Sequence, residues 1–234
     1  MASILALAQN IADELSLGRP SALIGDTVVD DDAYKLFRFI TRSCKMIAGR
    51  YDWTVLQAEQ TFTSVAQEIQ TSSIPTDFKR FINDTFWNRS QRRIVEGPLN
   101  PQTYSYQKAN VNGGIRDQFR VRGNDLLIYP APSAGETMAY EYITNYIGTD
   151  TLGVTYKAAF TVDTDIPLFD DELVILGAVW RYKKAEGQDY SEEFNEYENR
   201  IADEIKNDGG RDKIRLDNHG YGRIIKPIYQ DYAS

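Results

Sequence analysis

The sequence has one cysteine and one histidine in 234 residues, and each scarcity removes a class of chemistry. A lone thiol, Cys44, excludes an intrachain disulfide and any multi-cysteine metal site. A lone imidazole, His219, excludes a two-histidine metal site, and no Gly-x-Ser-x-Gly elbow accompanies it to supply the nucleophile of a triad. No apolar run approaches the length that spans a bilayer, so no membrane is expected to be involved. Met1 to Leu17 has no basic region and interrupts its apolar residues with Asn10, Asp13 and Glu14, so it is not expected to act as a secretion signal. Positive charge is also scarce. With 26 Lys and Arg against 34 Asp and Glu, the net charge of -8 has the wrong sign for gripping a nucleic acid by its phosphates.

What is present is the pattern of an ordinary folded chain whose ends are helical and whose middle is not. Ile4, Leu7, Ile11 and Leu15 make one stripe of a helix over residues 3–17, which stops at Gly18 and Pro20. Asp30, Asp31 and Asp32 open a second helix, with Phe37, Ile40, Cys44, Ile47 and Tyr51 on its apolar stripe and Leu36, Phe39 and Met46 widening it. From Trp53 to Tyr146, short runs of Thr, Val, Ile, Tyr and Phe broken by Pro, Gly and Asn predict strands near 56–65, 78–86, 92–96, 117–122, 125–129 and 137–146. Gly123-Asn124 marks a hairpin turn, a short helix near 100–109 interrupts the strands, and Met138, Tyr140, Tyr142, Thr144 and Tyr146 share one face of the last of them. After a linker containing Gly148, Gly153 and Pro167, Asp170 and Asp171 can cap a third long helix along Leu173, Leu176 and Trp180. Asp189 and Glu192 fit a capping box for a fourth, which buries Phe194, Tyr197, Ile201 and Ile205.

The expected fold is therefore α+β: an α-helical bundle built from the N- and C-terminal helices, a central antiparallel β-rich insertion, and an extended C-terminal arm. The expected organisation is residues 1–55 and 148–206 as helices of the bundle, 56–147 as the insertion and 207–234 as the arm. Lys206 to Ser234 carries six basic and four acidic residues, a balance of +2 on a body of -10. It also holds Ile214, Leu216, Tyr221, Ile224, Ile225, Ile228, Tyr229 and Tyr232, while Gly209-Gly210, Gly220, Gly222 and Pro227 argue against a continuing helix. Those eight apolar residues are the candidate protein interface, through docking on a neighbouring subunit; folding back over the chain's own body is the alternative.

No catalytic, cofactor or metal site is expected. Cys44, on the apolar stripe of a helix, reads as a small core hydrophobe. Asp163, Asp165, Asp170 and Asp171 have the residue type for a divalent cation or a carboxylate pair, but they lack an EF-hand's ligand order, and helix capping accounts for the last two. Asn112-Gly113-Gly114 reads as a turn, since no Gly-Lys-Ser/Thr follows to make a phosphate loop. Arg89, Arg92 and Arg93 beside Phe86 and Trp87 have the ingredients of a single-strand stacking platform. In an acidic chain the same residues suit a solvated strand face or a protein contact.

Two blocks carry a resemblance. The first is Ile74-Pro75-Thr76-Asp77-Phe78-Lys79-Arg80-Phe81, continuing through Phe86-Trp87-Asn88 to Gly97-Pro98-Leu99-Asn100-Pro101. The second is Asp165-Ile166-Pro167-Leu168-Phe169-Asp170-Asp171-Glu172-Leu173, running on through Gly177-Ala178-Val179-Trp180-Arg181-Tyr182-Lys183 to Gly187-Gln188-Asp189-Tyr190. Together they resemble the head-to-tail adaptor, or connector, proteins of short-tailed bacteriophages, the group that includes tail tubular protein A. In layout the resemblance covers residues 2–205.

That resemblance implies a non-enzymatic virion protein in the neck or tail, made in the host cytoplasm. It implies a homo-oligomer, a dodecameric ring, between the portal protein and a tail or nozzle protein, continuing a channel through which DNA passes without specific binding. Another neck or tail-tube structural protein is the alternative. A phage hydrolase using the Asp163 and Asp165 region, and a DNA-binding regulator, stand further off.

Overall fold

The computed structural model describes residues 1–25, 31–71, 73–109 and 117–209. Within them the chain is α+β, with five helices and antiparallel sheets between the first two helices and the last two.

The first helix, α1 (Ile4–Glu14), is short, and its free N-terminal amides are satisfied from far away in sequence. Ser3 Oγ accepts from the Ala6 amide at 3.3 Å. The Ile4 and Leu5 amides donate to the backbone carbonyls of Asp165 and Asp163, at 2.8 and 3.3 Å. The Ala2 amide donates to Asp171 at 2.8 Å. Chain segments about 160 residues apart are thereby joined at a helix end.

The aspartates predicted as capping or metal-ligand candidates do this joining. Asp163 accepts from the amides of Leu23 and Ile24 at 2.9–3.2 Å. Asp165 is fully buried and accepts from Lys157 Nζ at 2.6 Å and from the amides of Thr161 and Val162 at 2.7 and 3.2 Å. Burial disfavours the Asp165 carboxylate, but those donors outweigh it and hold the carboxyl below its ordinary range. Asp170 caps α4 (Asp171–Ala185) by accepting from the Leu173 amide at 3.2 Å. Asp171 is turned instead to Ala2, so only one of the two predicted caps serves α4.

On α2 (Asp31–Arg50) the core face is Ala33, Leu36, Ile40, Ser43, Cys44, Ile47 and Ala48. Phe37 and Phe39 are only partly buried and Met46 is exposed, so the apolar stripe is narrower than the sequence suggested. Across from α2 lies α4, buried from Leu173 to Tyr182 except at Ile175, and in contact with α1, α2 and α5 (Ser191–Asp208). At Gly177, α4 comes close to α2. A Cβ there would strike Ser43 Oγ and crowd Tyr197 at 3.1 Å and Arg181 at 3.2 Å. Helix α5 enters through Tyr190 with no side-chain cap. Asp189 accepts from the Ser191 amide at 3.0 Å, two residues on, so the predicted capping box does not form. Its buried face is Tyr197 and Ile201, with Phe194 at the exposed margin.

A 3-10 turn, Thr54–Leu56, leads into β1 (Gln57–Thr63). There follow β2 (Ile69–Gln70), β3 (Phe78–Phe81), β4 (Trp87–Asn88), β5 (Arg93–Ile94), the helix α3 (Pro101–Ala109), β6 (Gln118–Arg122), β7 (Asp125–Tyr129) and β8 (Thr137–Thr144). The long strand β8 pairs with β1 along one edge, and with β4 and then β3 along the other; β5 extends the sheet from β4. The β6–β7 hairpin and β2 form a second sheet. Its turn is Gly123-Asn124, but only Gly123 takes positive φ, at 63°, as a two-residue turn with glycine first requires.

Met138, Tyr140 and Tyr142 on β8 meet Phe86, Val95, Phe119, Leu126 and Ile128 in an aromatic core between the two sheets. The opposite face of the same strand sends Ile143 into the helical core. Alternation along one strand thus joins both cores. The predicted linker before α4 is not plain coil. It contains β9 (Gly148–Thr149), β10 (Tyr156–Lys157) and β11 (Ile166–Pro167), a small antiparallel sheet that holds Asp163 and Asp165 in place.

Two substitutions test this account. Asp165→Asn is expected to lower stability at pH 7 by about 2–3 kcal/mol, because it removes a buried charge from donors arranged for it. Since the folded carboxyl titrates below its unfolded value, that stabilisation is present above about pH 4 and is lost as pH falls through the folded pKa. Urea unfolding along a pH series downward from 7 should show the wild-type advantage shrinking as the carboxyl is protonated. Gly177→Ala is expected to destabilise by about 1–3 kcal/mol through overpacking, despite alanine's better helix propensity. The loss should shrink in a Ser43→Ala background, measured as a double-mutant cycle.

Candidate functional site

The residues singled out for chemistry are dispersed and occupied. Cys44 is fully buried, and burial pushes its thiol up to about 12, so it is held as an inert thiol. Asp163, Asp165 and Asp170 spend their oxygens on backbone amides, Lys157 and Arg200, while Asp171 accepts from the Ala2 amide through Oδ2 and leaves Oδ1 buried without a hydrogen-bond partner among the described residues. Among the described residues no group of three or more His, Cys, Asp or Glu is placed to hold a metal ion. Among them too, no helix is long and apolar enough to cross a membrane. His219, the Asn112-Gly113-Gly114 turn and the eight apolar interface candidates from Ile214 to Tyr232 lie outside the described residues.

The arginine and aromatic cluster is partly assembled. Phe86 is buried in the sheet core, whereas Trp87 lines an open hollow of about 490 Å³ with Arg89, Arg92, Glu59, Asp84 and Glu141. Arg89 pairs with Glu59 at 2.8 Å. Three carboxylates offset two guanidinium groups on this wall, so it lacks the positive excess that a phosphate backbone requires.

Two charged features escaped sequence reasoning. The first is the outward side of α2. Lys35, Arg38, Arg42 and Lys45 fall at i, i+3, i+7 and i+10 and surround, with Phe37 and Phe39, an open hollow of about 460 Å³. Lys35 is tied to Glu186 at 2.9 Å, while Arg38, Arg42 and Lys45 pair with no carboxylate among the described residues. The spacing was legible, but α2 was read only for its apolar stripe.

The second is Arg181, 5% exposed in the middle of α4. Its guanidinium donates to Ser43 Oγ at 3.1 Å and to the Gly177 carbonyl, and lies 4.2 Å from the Trp180 ring centroid and 5.6 Å from that of Tyr197. Burial lowers its pKa, and aromatic faces stand where a carboxylate would be expected. Nothing in the local sequence distinguishes this arginine from a surface one, because its burial is decided by the α2 and α5 side chains around it.

Among the described residues these groups join distant elements and present charged helix flanks. No curated protein matches the chain. The SU10 adaptor protein family matches residues 3–219, including both blocks that resemble phage head-to-tail adaptors. A match over nearly the whole length shows that the chain belongs to the SU10 adaptor protein family.

Proposed function

We propose that this protein is a structural subunit of a phage virion, a head-to-tail adaptor that repeats as a closed ring between the portal protein and a tail or nozzle protein. The single observation that carries the reading is the family match over residues 3–219. The placement of these carboxylates supports it: Asp163, Asp165 and Asp170 accept from backbone amides and Lys157 and so hold the fold.

In this reading the helices at the two ends of the chain and the sheets between them form the subunit body, twelve copies complete the ring, and its lumen continues the DNA channel. The net charge of -8 suits such a wall, since acidic residues facing the lumen repel phosphates and let the duplex pass without adhering. The protein acts without cofactor or catalysis, and resides in the neck of the virion.

The segment after α5 serves as the interlocking arm. Its sequence is basic and apolar on an acidic body, through Ile214, Leu216, Tyr221, Ile224, Ile225, Ile228, Tyr229 and Tyr232. Many weak contacts repeated around a closed ring hold together through effective concentration. The subunit body itself reaches to Asp208, which accepts from the Thr54 amide at 2.8 Å and from its hydroxyl at 2.6 Å.

A truncation ending at Gly209 is therefore expected to keep its helical circular dichroism and cooperative unfolding while losing attachment to its neighbour or partner. Mass measurement and electron microscopy of the truncated protein with portal rings check this. A truncated protein that still builds the wild-type ring would remove the arm from the mechanism. Wild-type protein that stays monomeric and ignores the portal would overturn the adaptor reading.

A further inference from the structure

The two flanks of the helical part are charged oppositely, and α4 separates them. On one flank is the outward side of α2, with Lys35, Arg38, Arg42 and Lys45 around Phe37 and Phe39. This helix carries five basic residues against two acidic ones in a chain that is acidic overall. On the other flank, Glu172 on α4 and Glu193 and Glu196 on α5 stand close enough to act on the charge of Glu14 at the end of α1.

The helical period shows that these flanks face apart. At about 100° per residue, Gly177 and Arg181, which face Ser43 of α2, lie about 120–180° around α4 from Glu172, Ile175 and Lys183. The latter three are the side of α4 left partly open between α1 and α5.

Each flank repels itself in the single subunit. Burial, and then the like charge of Glu172, raise the Glu14 carboxyl above its ordinary range; Lys183 opposes this, and Glu193 and Glu196 add to it. Glu14, Glu172 and Glu196 are exposed and pair with no cation among the described residues. On the far side, Arg42 adds like charge to the buried guanidinium of Arg181. Both flanks also carry apolar surface beside the charge: Phe37 and Phe39 on one, half-buried Ile175 on the other.

We infer that the basic flank of α2 is the docking surface for the acidic α1–α4–α5 flank of a second copy of this chain. The inference rests on the ring reading and supplies its contact. A head-to-tail ring needs two different, complementary patches on opposite flanks of one subunit, and these two meet that requirement in sign, position and apolar content. The match also explains why α2 of an acidic protein carries Arg38, Arg42 and Lys45 without a carboxylate partner among the described residues. Association driven by such flanks weakens as salt rises.

The test exchanges the charges. Arg38→Glu/Arg42→Glu cancels the positive excess of the α2 flank, leaving Lys35 and Lys45 against two glutamates, and Glu14→Lys/Glu196→Lys cancels the negative excess of the other flank, leaving Glu172 and Glu193 against two lysines. All four positions are exposed, so both variants should fold as the wild type does by circular dichroism. Neither variant alone is expected to give the oligomer that the wild type forms on portal rings. An equimolar mixture of the two is expected to restore it with the two chains alternating, which native mass spectrometry reads directly.

If either variant alone builds the wild-type ring, this interface is wrong and the adaptor reading stands. If the wild type forms no ring with its portal, both fall. If Arg38→Glu/Arg42→Glu assembles normally but loses affinity for a short DNA duplex, the basic flank contacts nucleic acid and the inference is overturned.

Discussion

The close crossing of α2 and α4 at Ser43 and Gly177 is the contact on which the rest of the helical part depends. With no side chain at Gly177, the two backbones approach far enough for Arg181 to reach Ser43 and for Tyr197 of α5 to close over the same spot. Because α4 is buried along nearly its whole length, it takes α1, α2 and α5 around itself, and its orientation sets which faces of those helices remain outside. The opposite charges of the two flanks have structural meaning only because this helix lies between them.

A second constraint ties the two ends of the subunit body together. The carbonyls of Asp163 and Asp165 receive the first amides of α1, while their carboxylates receive the 23–24 turn, Lys157 and the 161–162 amides. Buried carboxylates of this kind are satisfied only if chain segments distant in sequence arrive together, so they specify one arrangement rather than adding generic stability. The same commitment leaves these oxygens no room for catalysis. A body whose shape is fixed in this way presents its surface charges to a partner in a fixed arrangement.

Strand β8 extends the connection into the sheets. One of its faces lies in the aromatic core with Phe86, Phe119 and Tyr140, and the other delivers Ile143 to the helical core, so the sheets cannot shift without disturbing the helices. The family assignment and this layout agree on a structural protein whose information lies in its surfaces.

By itself the sequence determined the local order. Apolar periodicity located α1, α2, α4 and α5, and alternation along Met138–Thr144 assigned the correct faces to β8, because each signal resides in neighbouring residues. Glycine at 123 marked the hairpin for the same local reason. The tertiary structure alone decided what each polar group was for. Asp171 and Asp189 looked like helix caps, yet one turns to Ala2 and the other to Ser191, because a carboxylate takes whichever donor packing brings nearest. The strands of the small β9–β11 sheet are two residues each and were invisible as anything but linker, their pairing being wholly non-local. The basic side of α2 was written plainly at helical spacing. Its opposition to the acidic flank, and so its meaning, arose only when α4 was placed between them.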